Sequence, residues 1–271
     1  MTELHASAAA AKAAMTLGAL TALWTWETFF PFLAGRRNRP RHAFRNVAIA
    51  LLNTILLAVL FGAATVGVAS WAVQNEFGLL NWLSVPWPWR LVPAVVLLDL
   101  WFYGWHRLNH RVPLLWRFHR MHHSDREMDV TTATRFHLGE HLGAATLRLG
   151  LILLLGVSAA EILIFEALVV ANTMFHHANI SLGPLDRPLR WLIVTPNMHK
   201  IHHSRRRPET DSNYSTLFSF WDRLFRSYQM RVDCRDIELG LAELDEEQWQ
   251  TVPGMLKTPF RKRPANHANW R

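Results

Sequence analysis

Apolar and polar positions along this chain fall into long blocks rather than short periods. Residues 47–73 are 27 consecutive positions without a charged side chain, and residues 13–34 are 22 with Glu27 alone. Both exceed the about 20 residues that carry a helix across a bilayer, so two membrane helices are predicted. A third run, residues 91–105, contains Asp99 and passes directly into His106. It predicts a helix returning to the side from which the first loop departs. After a polar stretch, 106–141, comes a second apolar region, 142–174, interrupted in the middle. Gly156 reads as a helix stop, Ser158 and Glu161 as a capping box opening the next helix, and Val157 with Ile162 as its hydrophobic staple. Helices of about 14 and 16 residues are short for a full crossing, so a hairpin dipping into the membrane and returning is expected. Its even number of passes leaves the residues before and after it on one side. From residue 187 the chain is polar and irregular. The pattern therefore predicts an all-α integral membrane helical bundle: about three spanning helices plus a membrane hairpin, with a histidine-rich cap, in a single membrane domain.

Charge sets the orientation. The formal net charge is +8, but the arginines cluster beside apolar spans, which points to anionic lipid headgroups rather than nucleic acid. Arg36, Arg37, Arg39, Arg41 and Arg45 crowd the loop between the first two spans, whereas residues 74–89 contain no Lys or Arg. The positive-inside rule then places the Arg loop and the cap in the cytoplasm and the amino terminus outside, with Trp82, Trp87 and Trp89 in an interfacial belt. In the first apolar run the basic cluster follows the apolar residues, the reverse of a secretory signal, and a retained helix is expected. The single cysteine, Cys234, rules out an internal disulfide, a Cys-rich zinc module and a cysteine-held iron–sulfur cluster. Any metal must be held by His and carboxylates.

The 15 histidines are where chemistry enters. They group as His106 and His110; His119, His122 and His123; His137 and His141; His176 and His177; and His199, His202 and His203. Residues at i, i+3 and i+4 share a helix face, so each group is expected to aim its rings at one point. The segment 119–124 is echoed at 199–204, offset by 80 residues, which suggests two similar half-sites. A lone His on an apolar face usually packs without binding anything, but eight at these spacings predict two metal ions, since neutral imidazole is the commonest metal ligand. Asp99, Tyr103, His106 and His110 form one helical stripe. Asp99 is expected to accept a ligand's ring N–H or to ligate directly. Ligand type alone leaves Zn, Cu, Fe and Ni open.

His106-Arg107-Leu108-Asn109-His110, continuing through Trp116-Arg117-Phe118-His119-Arg120-Met121-His122-His123-Ser124, resembles the signature of the fatty acid hydroxylase and sterol desaturase superfamily. So do Arg135-Phe136-His137, Phe175-His176-His177-Ala178-Asn179, the run 195–204, Asn213-Tyr214 and the run 221–225. The resemblance covers about Asp99 to Tyr228. It divides the chain into transmembrane helices (1–98), a catalytic core (99–228) and a cytoplasmic tail (229–271). It implies a non-haem di-iron centre that uses O2 to hydroxylate or desaturate a lipid C–H bond. His106, His110, His119, His122, His123, His199, His202 and His203 would be the ligands, with His177 a ninth and His137 a weaker candidate. Leu138, Ser215 and Arg226 stand where the family often has Pro, Gly and Gly; none of these is an implied ligand. Asp99 and Tyr103 would support the ligands from behind, and Arg117, Arg120 and Arg135 would meet a substrate headgroup. No sequence for binding a redox cofactor is evident, which implies a separate ferredoxin or cytochrome b5-like electron donor. The expected location is a bacterial inner membrane with the site facing the cytoplasm. Fatty acids, sterols, carotenoids, sphingolipids and ether lipids all remain open as substrates. Two rivals stand beside this reading. His137-Leu138-Gly139-Glu140-His141 fits the inverted zinc-protease pattern with Glu140 as base, and a non-enzymatic metal or haem carrier would also use clustered histidines.

Overall fold

The computed structural model describes residues 2–34 and 38–262; Arg36 and Arg37 of the Arg loop and the basic residues from 263 onward lie outside them. Within the described residues the regular structure is helical, with two isolated bridges, Ile193 to Phe218 and Ser204 to Leu239. The long elements are α1 (Thr2–Phe29) and α2 (Arg39–Gln74), then a turn of helix, α3 (Leu79–Trp82), then α4 (Leu91–Arg111) and α5 (Pro113–His123). The hairpin follows as α6 (Leu138–Leu155) and α7 (Ala159–His177). The remainder is short pieces: α8 (Asp186–Leu189), α9 (Pro196–His202), α10 (Arg207–Thr210), α11 (Phe220–Leu224) and α12 (Val252–Lys257).

Among the described residues, three stretches are by length and composition apolar enough to cross a membrane: Arg39–Trp82, Leu138–Leu155 and Ala159–His177. This differs from the sequence expectation in which helices qualify. The first helix and α4 are not among the three; α4 carries Asp99, His106, Arg107, His110 and Arg111 along its 21 residues. The hairpin helices are longer than the hydropathy suggests, 18 and 19 residues, because α6 starts at Leu138 with His137 as its N-cap. At 1.5 Å per residue each is about 27–29 Å long, close to the about 30 Å of a hydrocarbon core. The outer face of α2 carries Leu51, Ile55, Val59 and Leu60, each more than half exposed. An apolar stripe that nothing among the described residues covers fits a hydrocarbon surround.

The hairpin tip forms as its residues dictate. Gly156 takes the left-handed conformation (φ 70°) that closes α6, a geometry that costs other residues more. Ser158 and Glu161 complete a reciprocal capping box at the start of α7, and Val157 and Ile162 are buried together in one core with Leu80, Leu98 and Phe165. Arg90 locks the tip by donating to Glu161 (2.8 Å) and to the Gly156 carbonyl (2.5 Å). Within the apolar layer, Glu166 of α7 pairs with both Lys12 of α1 and Arg148 of α6, which relieves the cost of charge there.

The open ends of the hairpin meet α4, α5, α9 and the extended start of α2 in a polar layer. There His42 of α2 bridges Asp125 (2.9 Å) and Asp129 (3.1 Å), and Glu27 of α1 takes Arg39 (2.5 Å) together with the Val130 and Asn179 amides. The described part of the segment after residue 228 is not a free tail. Gln250 bonds Arg135 and the Ser124 carbonyl, and the carbonyls of Thr258 and Arg261 accept from Arg120. The C-terminal segment thus closes over the histidine layer.

Candidate metal centre

Four helices deliver the histidines. The last turns of α4 carry His106 and His110; α5 carries His119, His122 and His123; α7 ends in His176 and His177; α9 carries His199 and His202, with His203 capping it. Both α5 and α9 start with Pro at their first position, where its missing N–H costs nothing. Nine of these histidines converge in two adjacent groups. His106, His110, His119, His123 and His202 form one, and His122, His177, His199 and His203 the other, each with ligand atoms within 4.8 Å of one another.

Each triplet divides between the groups instead of aiming at one point. Neighbouring residues on a helix lie 100° apart, so the paired histidines of an H-x-x-H-H run cannot both follow the first. In α5, His119 and His123 (i, i+4) turn to the first group while His122 turns to the second. In α9, His199 and His203 serve the second group while His202 crosses to the first. The echo in sequence is therefore an exchange in space, and it brings the groups close: the His123 and His203 rings stack 4.5 Å apart.

Hydrogen bonding fixes which nitrogens face inward. Nδ1 of His106, His177 and His202 lies 2.8, 2.7 and 2.6 Å from the carbonyls of Tyr214, Thr173 and Ser212. A carbonyl only accepts, so Nδ1 carries the hydrogen and Nε2 is left as a bare lone pair. Nε2 atoms face one another across the layer: His177 to His199 at 3.0 Å, His177 to His122 at 3.1 Å, His199 to His203 at 3.1 Å, and His119 to His123 at 3.2 Å. Among the described residues, Nε2 of His106, His110 and His202 is buried with no hydrogen-bond partner. A shared cation in each group would take one inward nitrogen from every ring. Bonds of about 2.1 Å at right angles place neighbouring nitrogens about 3.0 Å apart, which matches the observed contacts. Burial, and after it the neighbouring imidazoles, hold His122, His123, His199, His202 and His203 well below the ordinary histidine pKa. The rings are neutral at pH 7, as metal ligation requires. The residues present fit two metal ions.

Carboxylates stand behind the first group. Glu140 accepts from Nδ1 of His119 (3.0 Å) and from the Asn109 amide (3.0 Å), and Asp211 lies 3.5 Å from Nδ1 of His110. Aromatic rings close the sides: Phe136 stacks on His122 at 4.2 Å, and Tyr214 packs against His110 at 5.1 Å. Glu140 is a supporting residue that sequence reasoning places elsewhere. Its spacing from His137 and His141 singles it out, but as a zinc-hydrolase base, and in the fold that motif does not assemble. His137 caps α6 by accepting from the Gly139 amide, with Nε2 near the Leu256 carbonyl, so it is no ligand of either group. We expect Glu140→Ala to weaken metal retention in the first group about 10–100-fold, with Glu140→Gln restoring much of it because its amide oxygen still accepts the His119 hydrogen. Chelator competition followed by metal analysis reads this directly.

Other predicted site residues fall outside the centre. Asp99 does not reach an imidazole: it accepts from the Leu217 and Phe218 amides and the Trp221 indole, because the loop after α10 folds back onto that turn of α4. The Tyr103 hydroxyl bonds Ser227 (2.8 Å), and its ring lies behind Tyr214 rather than against a histidine of the cluster. Arg120 and Arg135 are fully buried and spent on Thr258, Arg261, Met121, Ser124 and Gln250, so they cannot receive a headgroup. Arg117 is exposed.

A fatty acid hydroxylase family model matches residues 91–227. Among characterised proteins, the chain is 27% identical over 226 residues to the ornithine lipid hydroxylase OlsE of Rhizobium tropici, covering 80% of this chain and 66% of that one. It is 30% identical over 171 residues to the alkylglycerol monooxygenase of Xenopus tropicalis (60% and 36%) and 32% identical over 146 residues to a cholesterol 25-hydroxylase-like protein of Danio rerio (51% and 54%). It therefore spans less than two thirds of each of these relatives. No solved structure matches. The matched segment is half of the chain and contains all nine converging histidines, and on that ground the chain belongs to the fatty acid hydroxylase family.

Proposed function

We propose that this protein is a membrane-bound non-haem di-iron oxygenase that inserts oxygen into a lipid C–H bond, or desaturates it, using O2. The observation that carries the reading is the convergence of nine imidazoles into two touching groups, with Nε2 of His106 and of His202 buried and without a hydrogen-bond partner among the described residues. Nitrogen ligands alone accommodate several metals, but zinc has no redox chemistry, and the relatives are named as hydroxylases and monooxygenases. Iron bound there supplies the capacity to activate O2 and accept electrons one at a time.

The chain's own residues do the rest. His106, His110, His119, His123 and His202 hold one ion, and His122, His177, His199 and His203 the other. The Tyr214, Ser212 and Thr173 carbonyls and Glu140 hold the outer ring hydrogens, which keeps the inner nitrogens available. Phe136 and Tyr214 exclude water from the site, which protects an oxidising reaction from side chemistry. The arginines at the start of α2 support, by the positive-inside rule, a histidine layer that faces the cytoplasm, and the bacterial source of OlsE supports a bacterial inner membrane. Electrons come from a separate ferredoxin or cytochrome b5-like protein, since one cysteine holds no cluster. The zinc-hydrolase reading loses its base, because Glu140 is engaged with His119 and Asn109.

The test is isotopic. Membranes of cells producing the chain under isotopically heavy O2 should yield a hydroxylated lipid carrying one heavy oxygen from the gas, or, for desaturation, a new double bond that forms only aerobically. Lipid products that appear equally without O2, or only cleavage products, would reject the oxygenase.

A further inference from the structure

On the side of α4 away from the metal centre, Leu100, Gly104 and Leu108 line a groove of about 370 Å³ whose opposite wall is Phe225 and whose far end holds Arg107 and Arg111. These α4 positions recur every three or four residues, so they form one helix face, about 16 Å from Leu100 to Arg111 at 1.5 Å per residue. Three observations make it more than a surface crease. Leu108 and Phe225 are 46% and 40% exposed, so its apolar lining is not fully covered by the described residues. A side chain at Gly104 would meet nothing within 4 Å, so the floor is open at that turn of the helix. At the polar end, Arg107 donates to the neutral Tyr103 hydroxyl (3.1 Å), Arg111 is exposed beside Tyr214, and neither pairs with a carboxylate among the described residues.

An apolar trough ending in two cations without counter-ions complements an amphiphile with an anionic head. We propose that this groove seats one anionic phospholipid, its phosphate between Arg107 and Arg111 and one acyl chain along Leu100, Gly104 and Leu108. Free inorganic anions would use the arginines and leave the trough empty; a neutral lipid would fill the trough and leave the arginines uncompensated. The position suits the anionic phospholipid, since arginines at the polar end of an apolar helix lie at headgroup depth. This inference does not depend on the oxygenase reading, because the groove shares no residue with the nine histidines.

The experiment is native mass spectrometry of the full chain released from nanodiscs of mixed phosphatidylglycerol and phosphatidylcholine, with melting temperature as the check on folding. Wild type should retain one phosphatidylglycerol and discriminate against phosphatidylcholine at least tenfold. Arg107→Gln with Arg111→Gln should lose the headgroup preference, and Gly104→Leu, which fills the trough into open space, should lose the bound lipid while melting like wild type. Equal retention of the two lipids by wild type, retention unchanged in both variants, or displacement by inorganic phosphate alone would each overturn the assignment.

Discussion

His122→Ala and His123→Ala, one residue apart, are expected to empty different metal sites. His123 shares a group with His106, His110, His119 and His202, whereas His122 faces His177, His199 and His203. The 100° step between consecutive helical residues forces this division. Each variant should fall from two irons per chain to about one, and the remaining iron should differ spectroscopically between them, one held by the five-histidine group with Glu140 behind it and the other by the four-histidine group. Activity should fall more than about 100-fold in both, since even the groups that merely orient ligands cost about 10–100-fold when removed. Identical residual spectra would mean that the two histidines serve one ion. Loss of both irons from each variant is expected only if folding fails, which melting temperature separates.

Asp99→Ala is expected to be the most destabilising single change outside the metal layer. Asp99 is completely buried and accepts at 3.1, 2.9 and 2.9 Å from Leu217, Phe218 and Trp221. Removing it leaves three donors without an acceptor, each costing about 1–3 kcal/mol. With some relaxation of the loop the total is on the order of 3–5 kcal/mol, a fall in melting temperature on the order of 10 °C. The damage should reach the metal layer. The same loop is held by Asp222, which accepts from the Tyr214 and Ser215 amides, and its Tyr214 and Ser212 carbonyls orient His106 and His202. Iron should be lost from the five-histidine group first. Asp99→Asn, which keeps one acceptor oxygen, should recover part of the stability. An unchanged melting curve for Asp99→Ala would refute this role.

What the sequence makes legible here is whatever depends on neighbours in the chain. The Gly156, Ser158 and Glu161 signals mark the hairpin tip, and the i, i+3, i+4 spacing marks the histidines. What it hides depends on which helix face meets which. His122 and His123 look like partners until α9 and α5 pack with their paired histidines exchanged. Asp99 sits on the stripe of His106 but turns to a loop more than a hundred residues away. Arg120 and Arg135 read as surface cations because Thr258, Arg261 and Gln250, which accept from them, come from the far C-terminal segment, which no local pattern links to them. Glu140 carries a motif that the fold does not use, and its part in orienting His119 appears only when α5 and α6 are brought together. Helix lengths are misjudged where caps are irregular: His137, taken alone, gives no sign that α6 starts at Leu138.

The account stands or falls on what occupies the two histidine groups, and iron analysis with X-ray absorption on the wild-type protein purified from iron-supplied cells measures that most directly. The prediction is two irons per chain, each surrounded only by light nitrogen or oxygen neighbours at about 2.1 Å, with an iron–iron scattering feature from the adjacent site. A single iron, zinc in both sites, or irons with no metal neighbour would contradict it.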